Sequence, residues 1–257
     1  MTEDDPPEAH PRLPEIEAEE PAVSREVTLG EAEPADFTAP DTAPVSEYST
    51  GSLLAQLRSG SPPERRRAIL ALSEREPDDE VSEALEAVIR TDDDPEARQF
   101  AVEVLADLDG PVGPVESALE DDTPWVRAEA IVSLKRMAPD AHEETFERRL
   151  LDPHPAVRRN ALVSLHHVRG AESREILEAA LHDESERVRE WAVRFLGEID
   201  EESAREAVND VLEGEESEVV RDAAARAIAG EMPRSDVLEG EGTADADEHV
   251  LNRRPGR

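Results

Sequence analysis

Between about residue 51 and residue 230 the apolar positions fall on short helical stripes separated by polar breaks. Val81, Ala84, Leu85, Val88 and Ile89 stand at i, i+3, i+4, i+7 and i+8, which is one face of a helix. The run Thr91-Asp92-Asp93-Asp94-Pro95 then interrupts the pattern. Pro95 suits a first helical turn, where its missing N–H costs nothing, and a preceding Asp or Thr can cap the open amides for about 1 kcal/mol. A second stripe follows at Ala97, Ala101, Val104, Leu105 and Leu108. So short a connection predicts two antiparallel helices.

The same skeleton returns along the chain. With an arginine set as position zero, alanine stands at +3 and an aliphatic residue at +7. The register holds for Arg65/Ala68/Leu72, Arg98/Ala101/Leu105, Arg127/Ala130/Leu134, Arg158/Ala161/Leu165, Arg189/Ala192/Leu196 and Arg221/Ala224/Ile228. Successive spacings are 33, 29, 31, 31 and 32 residues, and a period of this length marks a repeat array. One such hairpin cannot bury both of its apolar faces, whereas stacked neighbours can. The expected fold is therefore an all-α solenoid of about six antiparallel helix pairs, placed near 51–75, 79–108, 112–137, 140–168, 172–199 and 201–229, the first and last acting as caps. Residues 1–50 hold eight prolines and a net charge of −12 and read as a disordered acidic arm. The segment 231–257 lacks a period and reads as a disordered tail.

The repeated Asp, short turn, Val-Arg-x-x-Ala and Leu resembles HEAT repeats, in particular the short subclass named after phycobilisome lyases. Val126-Arg127, Val157-Arg158, Val188-Arg189 and Val220-Arg221 carry the resemblance most clearly, over about 51–230. It implies a right-handed, armadillo-type superhelix with the second helix of each pair lining the concave side. It also implies a structural ladder in which each register-zero arginine meets a turn acid between successive repeats. The ladder residues are the acids six residues before the arginines, Asp92, Asp121, Asp152, Asp183 and Glu215, and the arginines Arg98, Arg127, Arg158, Arg189 and Arg221 that follow them. The first repeat has Ser59 at that place and departs from the pattern. Arginine suits the role because its planar fork can bond a carboxylate and a carbonyl together.

Composition narrows the chemistry. The formal net charge is −36, and of 28 basic residues one is a lysine, Lys135. An acidic, lysine-poor surface is the signature of salt-loving archaea, so the charge reads mainly as solvent adaptation. The chain has no cysteine, which removes thiol catalysis, disulfides and cysteine-ligated metals. No apolar run approaches membrane-spanning length, and the N-terminus lacks the basic start and apolar core of a signal peptide. A cytoplasmic location is expected.

No catalytic residue, cofactor or metal site is assigned. A HEAT-type di-iron hydroxylase places repeated His-Glu pairs on its second helices, where this chain reads "VRAEA", "VRRNA" and "VREWA". His142-Glu143 is a single His-Glu on a first helix, and His166 and His167 read as capping a helix end. Nucleotide-binding loops and serine-nucleophile elbows are missing. Nucleic acid is disfavoured, because the groove arginines are interleaved with Glu103, Glu129 and Glu190 and because phosphate binding weakens steeply with salt. The expected function is a non-catalytic scaffold or adaptor that binds another protein on the concave face. Phe100, Arg159, Trp191 and Arg194 are the candidate partner contacts, since buried aromatics and arginines dominate interface energetics.

Overall fold

A computed structural model describes residues 48–76 and 78–231, all within the unit Pro44–Arg257. The arm and tail expected at the two ends fall almost wholly outside the described residues. Twelve α-helices occupy the described residues: α1 (Thr50–Ser59), α2 (Pro62–Leu72), α3 (Asp79–Thr91), α4 (Pro95–Asp107), α5 (Val112–Ala118), α6 (Pro124–Met137), α7 (Glu143–Arg149), α8 (Pro155–Arg169), α9 (Arg174–Ala180), α10 (Glu186–Leu196), α11 (Glu202–Gly214) and α12 (Glu218–Ala229). Short 3-10 turns, Asp140–His142 and Gly170–Ser173, lead into α7 and α9.

Local chemistry sets the boundaries. Pro62, Pro95, Pro124 and Pro155 open α2, α4, α6 and α8, where proline costs no hydrogen bond. Asp78 and Asp94 cap α3 and α4 by accepting from the N–H groups of Glu80 and Glu96. His154 does the same for α8, its Nδ1 accepting from Ala156 N–H at 3.2 Å. At the far end α12 stops at Gly230, which takes the left-handed conformation with φ 70 that a side chain would strain.

The helices pack in sequential pairs, odd against even. The second helices α2, α4, α6, α8, α10 and α12 also pack each on the next, forming a continuous row. First helices touch along the array less fully, with α1 on α3, α3 on α5 and α9 on α11. The register explains the close row. Ala68, Ala101, Ala130, Ala161, Ala192 and Ala224 at +3 are all fully buried, and small side chains there let neighbouring helices approach. At the end of α10 a Cβ on Gly197 would stand 2.7 Å from the Cβ of Ala227, so glycine is required at that crossing. At +7, Leu72, Leu105, Leu134, Leu165 and Leu196 are buried, each contributing roughly 1.5–3 kcal/mol. Ile228, the last of the series, is 49% exposed, since no further described hairpin stacks on α12. The apolar core runs as two clusters that divide within α8, Leu165 belonging to the first and Leu162 to the second.

Candidate interaction surface on the second-helix row

The arginine at register zero does two things at once. Its Nη1 donates back to the turn preceding its own helix: to the carbonyl of Asp92 from Arg98, Asp121 from Arg127, Asp152 from Arg158, Asp183 from Arg189 and Glu215 from Arg221, at 2.7–2.9 Å. Arg65, in the repeat without a turn acid, donates instead to the carbonyl of Gly60. The Nε and Nη2 edge then grips the carboxylate of the following repeat. Arg65 holds Asp92, Arg98 holds Asp121, Arg127 holds Asp152, Arg158 holds Asp183 and Arg189 holds Glu215, each through two bonds of 2.6–2.9 Å. Each carboxylate also accepts from a backbone N–H two residues on: Asp94, Thr123, His154, Ser185 and Ser217. One rung therefore joins a helix to its own turn and to the next turn. Arg221, at the end of the series, bonds the carbonyls of Glu215 and Glu216.

These contacts set the electrostatics. Burial pushes the carboxyls of Asp92, Asp121, Asp152 and Asp183 up, but the arginine bond, the backbone N–H and the arginine's charge outweigh it and hold all four below the ordinary range. Glu215 is held at about 2 by its bond from Arg189. Bonds to the carboxylates push the arginines up in turn.

Outside the ladder, the +5 position of the second helices varies in burial, from Val132 at 6% exposed to Leu70 at 45%. Along the row it carries Leu70, Glu103, Val132, Val163, Arg194 and Arg226. At the C-terminal end an aromatic platform supports it. The Arg194 guanidinium lies 4.3 Å from the Trp191 ring centroid, and Trp191 packs on Phe195 at 5.3 Å. Trp191 and Arg194 are half-buried. Beside them opens a cleft of about 370 Å³ between α10 and α12, lined by Glu190, Arg194, Val219, Asp222 and Arg226 among others. Phe100, also half-buried, packs against the N-terminal core cluster from α4. The structure thus keeps Phe100 apart from the Trp191–Arg194 pair, on a helix three repeats away.

Residues 51–135, 112–185 and 143–229 match the sequence pattern of the family described as HEAT repeats. The chain belongs to the HEAT-repeat family. Two solved structures share likeness with this HEAT chain. The complex of CpcE and CpcF of phycocyanin lyase from Nostoc sp. PCC7120 aligns at 19% identity, over 84% of this chain and 97% of that chain, with a TM-score of 0.49. An engineered protein from the Northeast Structural Genomics Consortium aligns at 18% identity, over 70% of this chain and 95% of that chain, with a TM-score of 0.42. No curated protein matches it.

Two readings of the HEAT sequence need correction. Arg159 is not an open contact. It is 6% exposed, and its Nε and Nη2 donate to Asn160 Oδ1 at 3.1 and 2.8 Å. Asn160 Nδ2 in turn donates to the carbonyl of Ala128 at 3.0 Å, tying α8 to α6. A helical wheel points Arg159 outward but cannot show this polar seam. His166 does not cap its helix with its side chain. Its ring is stacked on Phe195 at 4.2 Å, and its Nδ1 lies 2.8 Å from Ser173 Oγ. The Ser173 hydroxyl donates to the carbonyl of Gly170 at 2.6 Å, so the imidazole supplies the proton of the His166–Ser173 bond.

Trp125 meets His154 edge-on at 5.2 Å, beside the ladder acid Asp152. The sequence signal for this contact was present, because His154 stands two residues beyond a turn acid at the start of a second helix. Among the described residues no group of three or more His, Asp and Glu could hold a metal ion. No helix among them is long and apolar enough to cross a membrane.

Proposed function

We propose that this chain is a non-catalytic scaffold that binds a protein partner along the wall formed by its second helices. One observation carries the reading: an aromatic platform, Trp191 on Phe195 with Arg194 over its face, stands half-open on that wall beside a cleft. An aromatic residue backed by rigid packing and partnered by arginine is the composition of an interface hot spot. Stacked repeats build extended binding surfaces of this kind. The ladder arginines are committed to joining repeats, so they supply no competing chemistry. Phe100 extends the same wall toward the N-terminal repeats.

The test is affinity capture from the native cell at high salt, with the full chain as bait, followed by the same capture with Trp191→Ala. The variant should lose its partner at least tenfold while its unfolding midpoint stays within a few degrees. A variant that retains every partner at unchanged yield refutes the assignment.

A further inference from the structure

Five of the six register-zero arginines are held on two sides, and the sixth on one. Arg221 donates through Nη1 to the carbonyls of Glu215 and Glu216 at 2.7 and 2.8 Å. Arg127, Arg158 and Arg189 are anchored through Nη1 to the same two places of their own turns. All three then present Nε and Nη2 to the acid of the following repeat. The corresponding edge of Arg221 meets no carboxylate among the described residues. The apolar face at the same end is open as well. At +4, Ile69, Val102, Ile131, Leu162 and Val193 are fully buried, whereas Ala225 is exposed. At +7 the buried leucines give way to Ile228, 49% exposed. A fork without its acid and an apolar surface without its cover thus lie on one helix. They call for a segment that carries a carboxylate beside aliphatic side chains.

The chain itself contains such a segment, outside the described residues. In the five complete rungs the acid follows its arginine by 27, 23, 25, 25 and 26 residues. Beyond Arg221 this window holds Asp245, Asp247 and Glu248, and Asp247 stands at 26. Each ladder acid is also followed two residues on by a polar residue at the start of the next helix, Asp94, Thr123, His154, Ser185 or Ser217, and six residues on by an arginine. After Asp247 those places hold His249 and Arg253. Asp245 has Leu251 at the second place and Glu248 has Val250 at the first, so neither meets both conditions. Val250 and Leu251 supply the aliphatic neighbours. The ladder spacing therefore outlasts the apolar stripes by one turn, and it stops there, since Gly256 stands where alanine follows the other arginines. We infer that residues 245–251 dock on the open end of the array, Asp247 placing its carboxylate on the Nε and Nη2 edge of Arg221. A second copy offers no such closure, because its first repeat has Ser59 in place of the turn acid. This cap stands apart from the partner wall proposed above, and neither depends on the other.

Hydrogen exchange of the full chain, followed at two protein concentrations, reads the contact. Asp247→Asn should speed exchange of the α12 amides roughly tenfold, the order lost with one charge-assisted bond. Asp245→Asn and Glu248→Gln remove the same charge from the same segment and should leave the rate within about twofold. Arg221→Met should also speed exchange in α12, and adding Asp247→Asn to it should speed it no further. Unaltered exchange in Asp247→Asn, an equal response to the two neighbouring acids, or additive effects in the double variant would each overturn the inference. So would protection of α12 that rises with protein concentration, which would assign the open end to a second copy.

Discussion

The rung between Arg127 and Asp152 offers the sharpest test of what holds the repeats together. Asp152→Ala removes the acceptor of two arginine bonds at 2.9 Å and of the His154 N–H at 2.9 Å. The side chains are 13% and 3% exposed, so the guanidinium left behind is largely out of water. Breaking a buried pair by removing one partner costs about 3–5 kcal/mol. The remaining bond to the Asp121 carbonyl and the arginine's partial exposure favour the lower end, about 3 kcal/mol. Arg127→Met should cost a similar amount, because it strands a nearly buried carboxylate. The double variant should cost less than the sum of the two by about 2 kcal/mol, since neither charge is then left alone. The control is Asp200→Ala, which breaks a pair with Arg205 whose side chains are 89% and 58% exposed. It should cost under about 0.5 kcal/mol. Urea unfolding followed by far-ultraviolet circular dichroism gives the four values. Hydrogen exchange in α6 and α8 shows whether the array opens at the broken rung, as repeat arrays can. A loss below 1 kcal/mol for Asp152→Ala, or strict additivity in the double variant, would refute the claim that the ladder locks successive repeats.

Two further predictions concern pH. Glu215 is held at about 2 by its bond from Arg189, against an ordinary value of 4.5. Its contribution is therefore complete above 4.5 and is lost as pH falls from there toward 2; Glu215→Gln should flatten that part of an acid titration of the unfolding midpoint, and an unchanged titration would contradict it. Burial holds the His154 imidazole below its ordinary 6.5, in keeping with a neutral Nδ1 that accepts from Ala156 N–H. A proton that prefers the unfolded chain makes stability complete above 6.5 and lower as pH drops through that value. His154→Asn, which retains a capping acceptor, should shrink the difference between midpoints at pH 7 and pH 5, and an equal difference in both proteins would exclude His154 as its source.

What the sequence could reveal was what repeats. The +3 alanines and +7 leucines recur because every internal hairpin meets the same neighbour, and one wheel projection therefore placed nearly all of them in the core. Ile228 occupies the same register and is half-open, because position in the array is not encoded in the motif. The wall was harder to read, since its residues do not recur. Arg159 and Arg194 look alike on a wheel, one position after +0 and one after +4, yet Arg159 lies along Asn160 in a buried seam while Arg194 lies on an indole face. The difference comes from which groups lie opposite, the Ala128 carbonyl that holds Asn160 in one case and the α12 residues in the other. Contacts between repeats of unlike sequence leave no periodic trace.

That division between repeated and unrepeated positions has a physical consequence. Register zero is fixed by geometry: the fork must reach one carbonyl and one carboxylate at 2.6–3.0 Å in five successive rungs, and lysine, with a single ammonium, cannot span both. Six arginines stand at register zero, Arg65, Arg98, Arg127, Arg158, Arg189 and Arg221, out of 27, so ladder geometry explains only a minority of them and cannot account for the single lysine. Register +5 is under no such demand, and it changes from Leu70 through Glu103 and two valines to Arg194 and Arg226 while the ladder beneath is retained. Stability and the binding proposed for the wall thus draw on different residues of the same helix. A substitution at an open +5 position, Leu70 or Arg226, alters the exposed surface and leaves the rungs in place, and a substitution at zero loosens the array. On the proposed reading, a change of partner therefore costs the fold little.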